Sequence, residues 1–80
     1  GIYENTIKVY PNPTTGYLHI ESADNHIHKI ILSDILGNSL VEKTDVQKKG
    51  TLDLSFCSPG LYLITIITDK GTLETKVLKH

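Results

Sequence analysis

Arginine, methionine and tryptophan are absent from this 80-residue chain, alanine and phenylalanine occur once each, and Cys57 is the single cysteine. Each scarcity excludes something. Eight lysines against nine acids leave a net charge of −1 with no guanidinium fork, a poor equipment for holding nucleic acid. One cysteine cannot form an internal disulfide, so no cysteine-stapled scaffold is available, and pairing with another chain is the one disulfide open to it. No apolar run approaches the ~18 residues of a membrane-crossing helix. The first residues, Gly1-Ile2-Tyr3-Glu4, lack the basic start and apolar stretch of a signal peptide. The segment is therefore read as mature protein or as a piece of a longer chain. No stretch keeps apolar residues at i, i+3, i+4 and i+7 over ten positions, so no amphipathic helix is expected.

What is present is aliphatic and β-branched. Ten isoleucines, ten leucines and four valines are too many for a chain that stays unfolded. They fall in short runs: Ile7–Tyr10, Tyr17–Glu21, Ile27–Asp34, Ser39–Lys43, Thr51–Leu54, Leu61–Thr68 and Thr72–Leu78. In Tyr17–Glu21, Leu18 and Ile20 share one face. Ile30-Ile31-Leu32 reads as covered on both faces. Leu61–Thr68, the most apolar run, reads as central, and Leu73, Thr75 and Val77 face one way in the last. Turn chemistry separates the runs. Pro11-Asn12-Pro13-Thr14-Thr15-Gly16 lacks two backbone donors and ends on a residue that permits positive φ. Ala23-Asp24-Asn25, Gly37-Asn38, Lys48-Lys49-Gly50, Ser58-Pro59-Gly60 and Asp69-Lys70-Gly71 read as turns or solvated loops. About seven short strands in one small domain predict an all-β antiparallel sandwich, with a barrel as the competing architecture.

Catalytic chemistry is hard to assemble from these residues. Cys57 has no neighbouring cation to activate its thiol and reads as a small half-buried hydrophobe. His26 and His28 share a strand face and His19 lies one strand earlier, a weak zinc-like grouping that ordinary surface histidines also produce. The aspartates sit mostly in turns, where they bond nearby backbone donors. No metal, cofactor or catalytic residue is assigned, and no enzyme is expected.

Five pieces stand in order along the chain: Val9-Tyr10-Pro11-Asn12-Pro13, Ile31-Leu32-Ser33-Asp34-Ile35-Leu36-Gly37, Leu52-Asp53-Leu54-Ser55, Pro59-Gly60-Leu61-Tyr62-Leu63-Ile64 and Lys76-Val77-Leu78-Lys79. Together they resemble the type A C-terminal sorting domain of the type IX (Por) secretion system, from about Ile7 to His80. Phe56-Cys57-Ser58 before the Pro-Gly turn and the final His80 depart from the common pattern. The resemblance implies an immunoglobulin-like sandwich of about seven strands, forming one domain over residues 1–80 with 1–6 as a linker or remnant. It implies a folded address label of Bacteroidetes cargo proteins, read by the outer-membrane translocon. A sortase-like peptidase then removes it, and the cargo is anchored at the surface or released after transit of the periplasm. The partners implied are that translocon, that peptidase and an upstream cargo domain; the domain itself is expected to be a monomer.

Within this resemblance Pro11, Asn12, Pro13, Gly16, Asp34, Gly37, Pro59, Gly60 and Tyr62 are expected to serve the fold. Gly37 is expected to supply a positive φ, and the Tyr62 hydroxyl to need a partner. Lys76, Val77, Leu78 and Lys79 are the candidate recognition residues. Alternation that turns Val77 inward sends Lys76 and Leu78 outward, so an edge strand would offer backbone groups, one apolar anchor and lysine charge. The rival readings are a carbohydrate- or ligand-binding module with Tyr3, Tyr10 and Tyr17 as stacking rings, or a fibronectin-type-III-like spacer appended to a secreted enzyme.

Overall fold

The computed structural model describes residues 6–80. Seven strands follow one another: β1 (Ile7–Tyr10), β2 (Tyr17–Ser22), β3 (Ile27–Asp34), β4 (Ser39–Gln47), β5 (Lys49–Asp53), β6 (Gly60–Thr68) and β7 (Gly71–Lys79). They form a three-stranded sheet in the order β1-β2-β5 and a four-stranded sheet in the order β4-β3-β6-β7. All strand pairs are antiparallel. This is an immunoglobulin-like β-sandwich in which the fourth strand pairs with the third, where constant-type domains place it in the opposite sheet.

The core follows from the period-two alternation. Leu18, Ile20 and Leu52 of one sheet face Ile30, Leu32, Ile64, Ile66 and Val77 of the other, all essentially without exposed surface. A register shift between Ile27 and Lys29 turns Ile27 inward as well as Ile30, although the two are three residues apart. Ile31 is only half-buried, because a two-layer sandwich has nothing to cover the outer face of β3. The expected double covering of Ile30-Ile31-Leu32 is therefore single. β6 does lie inside its sheet, between β3 and β7.

Two boundaries differ from the sequence reading. β4 continues to Gln47, because an edge strand exposed along its length needs no apolar alternation to persist. Lys49 and Gly50, expected in a solvated loop, belong to β5 and pair with Glu21 and Ile20. Positive φ at Asp45 (53°) and Gln47 (71°) curls the chain so that Lys48 alone links the two sheets. That curl presses Val46 onto Gly50, where an added Cβ would lie 2.7 Å from Val46 Cγ1.

Candidate functional site

The Pro11–Gly16 segment leaves β1 and crosses to the other sheet, where it lies along the outer edge of β7. The Asn12 side chain donates from Nδ2 to the Lys76 carbonyl at 3.1 Å, and its Oδ1 accepts from the Leu78 amide at 3.0 Å. Thr14 adds two backbone bonds, donating to the Leu78 carbonyl and accepting from the His80 amide, both at 2.9 Å. A parallel bridge between Thr14 and Lys79 results. Thr14 is itself buried, and its hydroxyl donates to the Tyr17 carbonyl while accepting from the Gly16 amide. The bonds of Pro11 and Pro13 to their preceding residues are cis. Gly16 does not adopt the positive φ its position suggested; its carbonyl accepts from the Leu54 amide, tying the segment to the end of β5.

This clasp changes what β7 can offer. The expected free backbone edge over Lys76–Lys79 is occupied by the chain's own Asn12 and Thr14. Val77 is fully buried in the core. Lys79 is also on the inner face, only 8% exposed, with its ammonium donating to the Cys57 carbonyl at 2.8 Å. Its charge is spent inside the molecule, because the two-residue period that buries Val77 buries Lys79 as well. Lys76 and Leu78 do face outward, Leu78 with 39% of its surface exposed. Leu78 stands opposite Leu61, which is 42% exposed, so the two form a small apolar pair on the outer face of the sheet.

The remaining motif residues build this end of the sandwich. Tyr62, near the start of β6, is buried and donates its hydroxyl to the Ser58 carbonyl four residues upstream at 2.6 Å, a tyrosine corner. Burial raises the Tyr62 pKa. Pro59 lies between that carbonyl and Gly60, the first residue of β6. Asp34 clamps the β3–β4 turn: its Oδ1 accepts from the Leu36 and Asn38 amides, and its Oδ2 accepts from Asn38 Nδ2. The Asn38 side-chain bond, followed by the turn amides, lowers the Asp34 pKa. Gly37 takes a φ of 93°, as expected for this turn. The clamp displays Ile35 and Leu36, 63% and 84% exposed.

The other candidates separate. Cys57 is buried, and burial raises its thiol pKa despite the Lys79 charge nearby, so it lacks the character of an activated nucleophile. His19 belongs to the other sheet, bonded to Thr51 and tilted against Tyr10. The His26 and His28 rings stand 4.8 Å apart, tilted by 40°, and each faces an aspartate, Asp45 and Asp69 respectively. Among the described residues no three His, Cys, Asp or Glu side chains are placed to hold a metal ion. Tyr3 lies outside the described residues; Tyr10 donates to Glu21, and Tyr17 is exposed on another strand. Shallow grooves mark the surface of the described residues. One of about 270 Å³ is lined by Thr6, Lys8, Glu21, Ser22, Ala23 and Lys49. Another, of about 230 Å³, runs between the edges of β1 and β7.

Thr14, Lys79 in its inward role, and the Asn12 carboxamide as an edge cap escaped the sequence reading. Asn12 stands 64 and 66 residues from its two partners, a distance at which no local pattern signals a bond.

Fold and surface thus define a small immunoglobulin-like module that presents turns and one clasped edge strand. The chain belongs to the secretion system C-terminal sorting domain family, whose sequence profile matches residues 8–80. It is a C-terminal sorting signal of the type IX secretion system, and the family implies engagement with that machinery and export to the cell surface or beyond. Comparison with curated proteins returned no match.

Proposed function

We propose that the domain works as a folded address label whose reading surface is the outer face of β7, centred on Leu78 and Lys76. The observation that carries this is the exposure of an aliphatic side chain and a lysine on a strand whose edge is held rigid by Asn12 and Thr14. Preordering lowers the entropy a partner must overcome on docking. The cargo upstream enters the periplasm by its own signal peptide. The outer-membrane translocon then reads the label, a sortase-like cysteine peptidase removes it, and the cargo is anchored to surface lipopolysaccharide or released. Pro11, Asn12, Pro13, Gly16, Asp34, Gly37, Pro59, Gly60 and Tyr62 keep that surface in shape. Val77 and Lys79 support it from below.

The test is a reporter fused ahead of residues 1–80 in a host with a working type IX system. Replacing Lys76 and Leu78 together by serine is expected to cut export by about tenfold, the effect of losing one good anchor contact, while the urea midpoint stays near wild type. Lys79→Met should instead lower the urea midpoint, because it leaves the Cys57 carbonyl without its buried donor. Normal export of a folded Lys76/Leu78 double variant contradicts the reading. Mass analysis of the surface reporter shows whether the domain has been removed.

A further inference from the structure

A two-sheet sandwich has four strand edges that could pair with another chain, and three stretches of them are guarded here. Lys43 reaches across the β5 edge and donates to the Thr51 carbonyl. β4 carries Glu42, Lys43 and Asp45 and curls through two positive-φ residues. Asn12 and Thr14 cover β7 from Lys76 onward. The first half of β7 has no such guard among the described residues. β6 pairs with one side of β7 along its whole length. The Lys76 carbonyl and the Leu78 amide and carbonyl point to the other side, so the alternation also points the amide and carbonyl of Thr72 and Glu74 outward. Beside them lies the groove of about 230 Å³, lined by Ile7 and Val9 of β1 and by Leu73, Glu74 and Thr75 of β7. Its floor of Ile7, Val9 and Leu73 belongs to or packs on the core.

We infer that this groove receives an extended segment of the type IX machinery, added as a strand to β7 along Thr72–Thr75. The inference rests on the sorting reading and extends it from the tail to the open half of the same strand. Backbone donors and acceptors repeating at strand pitch match another peptide backbone; a lipid tail or a sugar carries no such repeat. The groove's floor of Ile7, Val9 and Leu73 offers one aliphatic side chain of that segment an apolar contact between Val9 and Leu73. Charge decides against a second copy of this chain. Antiparallel self-pairing centred on Glu74 sets two carboxylates opposite each other, and a slip of one pair toward the turn runs past the end of the strand, since the position opposite Lys76 is then Lys70 in the β6–β7 turn. A slip the other way meets the clasp at Leu78. Like charges directly opposite each other destabilise a strand pair. The incoming segment is therefore a different chain, with a basic residue beside Glu74 and apolar residues at alternate positions.

Glu74→Pro removes the outward amide and leaves the β6 ladder its bonds, because proline is tolerated where the N–H faces away from the sheet. In the reporter fusion it is expected to reduce export by about tenfold at unchanged melting temperature. Glu74→Lys, which keeps the backbone donor and reverses the charge, should reduce it less. A photo-crosslinking residue at Thr72 should trap a type IX outer-membrane component in cells, and the same residue at Lys48, on the β4–β5 link, should not. This measurement decides the matter if the proline variant unfolds. Full export of folded Glu74→Pro, no crosslink from Thr72, or a crosslink to a second copy of the domain overturns the inference. Failure of the unaltered fusion to reach the surface overturns the sorting reading itself, so the two outcomes are distinct.

Discussion

Asn12 holds the β7 edge with both ends of its carboxamide, so a single substitution tests the clasp. Asn12→Ala removes two hydrogen bonds and is expected to cost about 1–2 kcal/mol, read as a lower urea midpoint. Tyr62→Phe removes the bond to the Ser58 carbonyl and should cost about 1 kcal/mol by the same measurement. The carboxylates supply a pH dependence. Asp34, Asp53, Asp69 and Glu21 all have lowered pKa values in the folded chain, through bonds led by Asn38, Ser55, His28 and Tyr10 respectively. A folded pKa below the unfolded value means stability that is complete above the unfolded value and lost as pH falls through the folded one. Melting temperature should therefore fall on acidification below about 4, the ordinary carboxylate range. Asp34→Asn should blunt that acid limb. Much at this scale was legible in the sequence: Gly37 and Asp34 carry turn chemistry in their side-chain types. Lys79 was not, because a lysine beside a chain terminus gives no sign that its ammonium points inward to a carbonyl.

At the scale of the element, strands announced themselves where one face is buried and the other wet. β1, β2, β3, β6 and β7 stand within a residue or two of their apolar runs. β4 and the start of β5 were obscured because their pairing rests on backbone bonds and on a close approach, which leave no hydrophobic period. Gly50 is the residue that close approach requires. Gly50→Ala should overpack the link against Val46 and destabilise the domain by about 1–3 kcal/mol, measurable by urea unfolding. The pairing of β4 with β3 was equally invisible, since strand order depends on contacts far apart in the chain. The two faces of the candidate recognition strand were legible, because Val77 and Leu78 alternate inside and outside; its place at the sheet edge depends on strand order. That its last residues are already covered depends on a segment some 64 residues earlier.

At the scale of the molecule, seven short strands close a core between two sheets, with one end built by the motif residues and, among the described residues, the first half of the β7 edge left unpaired. That division suits a domain that must be stable alone and still recognisable. The most direct measurement fuses residues 1–80 behind a fluorescent reporter carrying a periplasmic signal peptide, in a host with and without the type IX translocon. Fluorescence at the surface or in the medium that needs both the domain and the translocon is the expected result. Retention of a folded fusion in the periplasm of the translocon-bearing host would contradict the sorting function.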